Sequence, residues 1–192
     1  MRGTLSWLRP NHESKEGARV SIVGVMGSGQ EPHEEWAVPL GERLAGLGVH
    51  LLTGGGGGVM EAVTHAFVAS PRPRGGLALG VLPSRDPPHV GEPALGYPNP
   101  FVELAVRTHL PARGSGGSGA DSRNHINVLT SDVIVALPGA EGTASEIELA
   151  RRYGRPIVAL GPHRGAWPAL PAEVALVTRV EDAIAFVLDA LR

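Results

Sequence analysis

Two glycine-rich turns contain the residues whose types and spacing could bind an anion. The first runs Thr53-Gly54-Gly55-Gly56-Gly57-Gly58-Val59-Met60, and the second runs Pro138-Gly139-Ala140-Glu141-Gly142-Thr143. Each turn follows an apolar, strand-like run and precedes a helix-like one. A strand, a glycine turn and a helix N-terminus together direct backbone N–H groups at an anion, usually a phosphate. The sequence therefore predicts a phosphorylated ligand at the carboxyl ends of parallel strands.

The five-glycine turn differs from the common nucleotide motifs. It lacks the spacing and the acidic residue of a GxGxxG fingerprint, and no lysine follows it as in a Walker A loop. One or two glycines would satisfy a tight turn with positive φ, which is the structural alternative. Five in a row favour the close approach of a ligand to a bare backbone. We expect this phosphate cradle to comprise Gly55, Gly56, Gly57, Gly58, Val59 and Met60.

The second turn carries side chains as well as glycines. Its expected contacts to the ligand come from Pro138, Gly139, Gly142 and Thr143. The run from Thr143 to Glu146 also matches the S/T-x-x-E capping box, which by itself would account for both residues. Arg123, taken alone, has the pattern of an ordinary helix-surface arginine. Gly27 and Ser28, after the first strand-like run, are either a third ligand-facing turn or only a strand-to-helix turn.

Composition excludes several classes of chemistry. The 192 residues fit one domain, and 17 basic against 19 acidic residues give no global sign of a nucleic-acid or anionic-membrane partner. The absence of cysteine excludes disulfides and thiolate catalysis, and the eight histidines lack metal-ligand spacing, so we expect no metal site. Lys15, the only lysine, lies in a polar stretch before the first strand, which speaks against a pyridoxal-phosphate Schiff base.

The same features predict domain organisation and location. No apolar run approaches the length of a membrane helix, and the amino terminus lacks a signal-peptide core. We therefore expect a cytoplasmic protein with a poorly ordered polar leader at residues 1–17 and a single domain at residues 18–192.

Periodicity predicts strands that alternate with helices. Strands are expected at 19–25, 49–53, 77–82, 101–110, 132–137, 156–160 and 174–178. Helices are expected at 34–47, 59–69, 121–130, 143–153 and 181–191. The proline-rich segment 84–100 and the glycine-rich segment 111–119 are expected to be loops, the second a mobile one near the site. The fold class is therefore α/β, a Rossmann-like three-layer αβα sandwich with a mostly parallel sheet of six or seven strands.

The motifs resemble those of the LONELY GUY (LOG) family, which hydrolyses nucleoside 5′-monophosphates to a free base and ribose 5-phosphate. The resemblance rests on Gly55 to Met60 and on Pro138-Gly139-x-x-Gly142-Thr143-x-x-Glu146, and it extends from about Val20 to Leu160. The family's catalytic arginine lies fifteen residues before the motif proline, as Arg123 does here. The resemblance implies that Arg123 and Glu146 are a catalytic pair, with Glu146 stabilising an oxocarbenium-like sugar or activating water.

Other positions depart from the pattern of the hydrolases. Ala140 replaces the second glycine of the PGG motif, and Ser145 replaces the first of two glutamates. Asn124 and Asn127 occupy positions that are usually lysine and methionine in the hydrolases. The five-glycine turn, the segment Asn99 to Phe101 and the run Asp121-Ser122-Arg123-Asn124 resemble another branch of the superfamily. That branch includes the molybdenum cofactor carrier proteins, which bind a phosphorylated pterin without cleaving it. Members of the superfamily are often labelled lysine decarboxylases, a label that the position of Lys15 contradicts.

The leading functional hypothesis is therefore a LOG-type phosphoribohydrolase, and the alternative is a non-catalytic carrier of a phosphorylated pterin or nucleotide. A DNA-processing Rossmann protein of the DprA type is a third reading, which the balanced charge disfavours. No resident cofactor is expected, and the bound group is a phosphate, nucleotide or pterin. The resemblance also implies a homodimer or larger homo-oligomer.

Overall fold

The computed structural model describes residues 19–72 and 74–192, so the predicted polar leader at 1–17 lies outside the described residues. Seven strands lie within these ranges: β1 Ile22–Met26, β2 His50–Thr53, β3 Ala78–Leu82, β4 Leu104–Arg107, β5 Val133–Ala136, β6 Ile157–Leu160 and β7 Ala175–Val177. The α-helices of the same ranges are α1 Glu34–Ala45, α2 Val59–Ala69, α3 Asn124–Thr130, α4 Glu141–Arg152 and α5 Val180–Ala190.

The strands form one sheet in the order β4-β3-β2-β1-β5-β6-β7, and every neighbouring pair is parallel. The chain first builds outward from β1 to β4 and then returns to place β5 on the other side of β1. Adjacent turns after β1 and β5 therefore lead in opposite directions and leave a crevice between them. The predicted Rossmann-like α/β fold with six or seven strands is confirmed.

One face of the sheet is covered by α1, α2 and α5, with α1 packed against both of the others. Strand residues such as Val23, Val25 and Leu51 are fully buried there, because β-branched and leucine side chains fill the space under the helices. The helices contribute Leu40, Leu44, Val63, Phe67, Ile184 and Val187 to this core.

The opposite face is covered mainly by α3 and α4. Met26, Leu52 and Ile134 of the strands pack there with Val128 of α3 and Leu149 of α4. These two helices pack over β1, β5 and β6, whereas β4 is exposed along its whole length at the edge of the sheet. The arrangement places the starts of α3 and α4 beside the crevice.

Two helix starts differ from the sequence prediction by two residues or more. The helix expected from Asp121 begins at Asn124, because the N–H of Ser122 donates to the carbonyl of Gly119 and forms a turn there. The helix expected from Thr143 begins two residues earlier, at Glu141. Among the described residues, no helix is long and apolar enough to cross a membrane.

Candidate functional site

A cavity of about 390 Å³ opens at the carboxyl ends of β1 and β5. The register pairs Met26 with Ala136, so the turns after both strands leave the sheet at the same level. Ligands of open parallel sheets bind at such points. Half of the site residues predicted from the sequence line this cavity, namely Gly27, Ser28, Met60, Arg123, Gly142, Thr143 and Glu146.

Ser28 connects the three glycine-rich turns. Its N–H donates to the carbonyl of Pro138 at 3.0 Å, and its own carbonyl accepts from the N–H of Val59 at 2.9 Å. Its hydroxyl accepts from the N–H groups of Gln30 and Glu31, which fixes the turn that leads to α1. The turn at Gly27 and Ser28 is therefore the part of the site that holds the other two turns in place.

Tight packing explains two of the glycines beside Ser28. A Cβ on Gly27 would lie 2.7 Å from Val59, and a Cβ on Gly139 would lie 2.8 Å from the nitrogen of Ser28. Real Cβ atoms do not approach other atoms so closely, so neither position accepts a side chain without movement of the turns. Pro138, Gly139 and Val59 thus support the cavity without lining it.

The start of α4 faces the cavity with a bare backbone. The N-cap residue is Ala140, and the N–H groups of Glu141, Gly142 and Thr143 in the first turn have no intrahelical acceptor. A Cβ on Gly142 would meet no protein atom within 4 Å, so it would project into open space. This combination of exposed N–H groups and a positive helix end suits an anion.

The capping-box interpretation of Thr143 and Glu146 is wrong. A capping box requires the Ser or Thr at the N-cap and the Glu three residues later, whereas Thr143 here is already the third helical residue. Glu146 lies one turn further along, where its side chain points to α3 instead of the helix start.

Arg123 and Glu146 form a buried pair at the cavity, exposed by only 6% and 7%. The guanidinium Nη1 lies 3.5 Å from Oε1 of Glu146 and also donates to Oδ1 of Asn124. Asn127 donates from Nδ2 to the same carboxylate oxygen at 3.2 Å. Arg123 is therefore not the ordinary helix-surface arginine that its local sequence suggests.

Burial raises the pKa of Glu146 above its usual range, and the nearby Arg123 charge and the Asn127 hydrogen bond only partly oppose this effect. A carboxyl in this state retains its proton at higher pH than a solvated one, so it can act as a hydrogen-bond donor or an acid–base group. Two buried atoms of the cluster, Arg123 Nε and Asn127 Oδ1, have no hydrogen-bond partner within the described residues.

The five-glycine turn lies next to the cavity, but Gly55, Gly56, Gly57 and Gly58 do not line it. Protein contacts account for several of these glycines. A Cβ on Gly54 would lie 2.5 Å from the Arg123 guanidinium, and one on Gly56 would lie 2.8 Å from the ring of Tyr97. Gly55 and Gly58 have φ angles of +76° and +61°. The role of this turn as a phosphate cradle stays a prediction.

Sequence reasoning missed several residues of the site. Tyr97 and Arg113 reach the cavity from the two long loops, and Gln30 follows the Ser28 turn. The loops have no periodic pattern that singles out Tyr97 or Arg113. The sequence indicates only that the glycine-rich segment 111–119, which contains Arg113, lies near the site. Asn127 could have been found from its place on the same helical face as Arg123, one turn later.

Fold and site place the chain in the superfamily that contains LOG-type proteins and molybdenum cofactor carrier proteins. A model of the SLOG cluster4 family matches residues 20–185, and the chain belongs to this family. An uncharacterised protein of Archaeoglobus fulgidus is 30% identical over 142 residues, which cover 73% of this chain and 80% of the relative.

Two solved structures are similar over most of the chain. The molybdenum cofactor binding protein of the phototrophic bacterium Rippkaea orientalis is 28% identical with a TM-score of 0.68, covering 91% of this chain and 99% of that one. The molybdenum cofactor carrier protein of Chlamydomonas reinhardtii is 29% identical with a TM-score of 0.62, covering 90% and 99%.

Proposed function

We propose that this protein binds a phosphorylated small molecule in the crevice at the carboxyl ends of β1 and β5. The observation that carries the proposal is the bare start of α4, where Gly142 turns its backbone towards an open cavity. Arg123 adds a buried positive charge beside it, and Arg113 adds a second one at the cavity wall. Such a site favours a ligand with a phosphate group.

The favoured ligand is the phosphorylated pterin of the molybdenum cofactor, held as cargo. Two similar solved proteins are described as binding or carrying this cofactor. Arg123 and Asn124 line the cavity, so a ring with both acceptors and donors suits their guanidinium and amide groups. The volume, about 390 Å³, lies within the range of small-molecule pockets.

The contacts of the Arg–Glu pair favour binding over turnover. Asn127 and Arg123 both approach Oε1 of Glu146, and Asn124 shares the Arg123 guanidinium. These contacts fix the positions of the Arg123 and Glu146 side chains at the cavity, as a binding site requires. Anaerobic equilibrium binding of molybdenum cofactor, released from a denatured molybdoenzyme, tests the proposal. We expect saturable binding by the wild type, and absence of binding would contradict it.

A second candidate function is N-glycosidic hydrolysis of a nucleoside 5′-monophosphate. It is favoured by one observation, the raised pKa of Glu146 in the same cavity. In that reaction water bonds to the anomeric carbon, the C–N bond breaks, and the base leaves with its electron pair and takes up a proton. Arg123 would hold the phosphate or the sugar hydroxyls through its planar fork.

Incubation with a panel of nucleoside 5′-monophosphates separates the two functions. Free base and ribose 5-phosphate are followed by chromatography for the wild type, Glu146→Gln and Arg123→Ala. Release of a base that both substitutions abolish would establish the hydrolase. Under the carrier proposal we expect no base release from any nucleotide.

We also propose that the chain forms a homo-oligomer. Strand β4 is exposed at the edge of the sheet, and its Leu104 and Val106 present apolar side chains to the surface. Leu77 and Leu129 are exposed apolar residues as well. Unprotected apolar edges of this kind are usually covered by another chain.

A further inference from the structure

A second cavity of about 680 Å³ lies beside the first one. The two cavities share Ser28, Gln30 and Ala140, so the turns after β1 and β5 form a ridge between them. The second cavity extends from this ridge to the start of α1 and to the segment after β6, where Trp167 lies. The proposed binding of a phosphorylated ligand does not use it.

The lining of the second cavity includes three aromatic residues, His33, Trp36 and Trp167. The rings of His33 and Trp36 lie 6.2 Å apart and are tilted by 52°, and Trp36 is anchored by donation from Nε1 to the carbonyl of Thr178 at 3.3 Å. Trp167 is buried behind the cavity, where its Nε1 donates to the carbonyl of Leu137 at 3.0 Å. The anchored indole of Trp36 is only partly buried and can offer a flat surface on which a planar base stacks.

The charges of the second cavity oppose a free phosphate. Glu31 and Glu35 line it and are exposed, so they give its rim a negative character. Carboxylates accept hydrogen bonds from the amino groups of a nucleobase but repel an additional terminal phosphate. The positive residues Arg113 and Arg123 belong to the first cavity. The two cavities therefore suit different parts of one ligand.

The ridge between the cavities is the place where phosphate groups fit. Ala140 is the N-cap of α4, and the N–H groups of the first helical turn follow it directly. A second observation concerns the buried Arg123, which lines the first cavity together with Ala140 and whose Nε has no partner within the described part of the chain. A bridging diphosphate on the ridge would extend one substituent into each cavity.

We infer that one form of the physiological ligand has two ring systems joined by a diphosphate. The first ring occupies the cavity of Arg123 and Glu146, and a nucleobase with amino groups stacks on Trp36 in the second cavity. This inference rests on the proposed binding function and specifies the class of ligand. It assigns a recognition role to Trp36, which lies outside both glycine-rich turns.

The test compares nucleoside 5′-monophosphates with the corresponding dinucleoside 5′,5′-diphosphates of adenine, guanine, cytosine and uracil. Binding is followed by tryptophan fluorescence and by calorimetry. We expect at least one diphosphate to bind about tenfold more tightly than its monophosphate, the size of one stacking contact. Trp36→Ala removes this advantage and leaves monophosphate affinity unchanged, whereas Trp36→Phe retains most of it.

Each alternative result has a distinct meaning. If the protein binds the molybdenum cofactor but no diphosphate more tightly than its monophosphate, the second cavity takes no base and this inference fails alone. An advantage that persists in Trp36→Ala also overturns it. If neither the cofactor nor any nucleotide binds to the wild type, the proposed function fails together with the inference.

Discussion

The side chain of Glu146 is a carboxyl group that is buried away from water. Burial raises its pKa, so at pH values between the ordinary and the raised pKa the folded state binds a proton that the unfolded state has released. The stability contributed by this proton is complete below the ordinary glutamate pKa, about 4.3. It is lost as the pH rises through the raised pKa of the folded state.

Glu146→Gln should therefore gain stability relative to the wild type as the pH rises towards neutral, because glutamine has no proton to lose. The difference should grow from about pH 4 upward and become constant above the folded-state pKa. Urea unfolding at a series of pH values measures it. Glu148→Gln, which removes an exposed carboxyl from the same helix, is the control for the loss of one charge. A difference that does not vary with pH would contradict this account of Glu146.

Two glycines of the second turn should respond in opposite ways to alanine. Gly142→Ala should raise the free energy of unfolding by about 0.5–1 kcal/mol, because the methyl group meets open space in a helical turn. Gly139→Ala should lower it by about 1–3 kcal/mol, because the new Cβ would collide with Ser28. Thermal and chemical unfolding of both variants checks the pair. Equal effects would show that the described packing of this turn is wrong.

At the scale of elements, the glycine-rich loop of residues 111–119 forms a wall of the cavity and is anchored by α3 and α4. His125 on α3 has a ring nitrogen, Nε2, 3.0 Å from the carbonyl of Gly119. Its other nitrogen, Nδ1, is 2.7 Å from the hydroxyl of Tyr153. Ser145 on α4 donates to the carbonyl of Gly114 at 3.3 Å. These contacts hold the segment that brings Arg113 to the site.

Loss of the Tyr153 hydroxyl should loosen this loop. In Tyr153→Phe we expect faster amide hydrogen exchange at residues 113–119 and a loss of about 1 kcal/mol of stability. Exchange followed by mass spectrometry measures both effects locally. Tyr97→Phe is the matched control, since no hydrogen bond of that hydroxyl occurs within the described residues. Unchanged exchange in Tyr153→Phe would mean that His125 does not anchor the loop.

The elements also show how far sequence reasoning extends. Alternating apolar runs and glycine turns predicted all seven strands, because buried parallel strands and their turns have strong local signals. The exposed edge strand expected at 101–110 is shorter and spans only Leu104–Arg107. The start of α4 was misplaced because Thr143 and Glu146 match a capping box by spacing alone. The partner of Glu146 is on α3, so the true arrangement depends on a tertiary contact that no local pattern contains.

The residues of the site also divide into those that local motifs indicate and those that only tertiary contacts bring together. The motifs indicated Arg123, Gly142, Thr143 and Glu146, which the fold brings to one cavity. The sequence analysis explains the five glycines by the close approach of a ligand to the backbone. The structure also shows that Arg123 and Tyr97 pack against this turn, which requires small residues there. Contacts between distant loops and turns were not predictable from one sequence, since they depend on the order of strands in the sheet.

At the scale of the whole molecule, the exposed edge strand predicts self-association. Light scattering coupled to size exclusion should give a mass above that of the 20.0 kDa monomer. Leu104→Asp on β4 should shift the population towards the monomer, because a charge cannot be buried in an apolar contact. Leu188→Asp, at an exposed position of α5, is the matched control. A monomeric wild type would contradict the proposed homo-oligomer.

The central claim is that the start of α4 holds the phosphate group of a ligand. Calorimetric titration of molybdenum cofactor into the wild type and Gly142→Ala tests it most directly, since the substitution alters the cavity without disturbing packed protein atoms. We expect one ligand per chain in the wild type and at least about tenfold weaker binding in the variant, because the new methyl group occupies the space in front of the helix start. Equal affinity of the two proteins would contradict the claim.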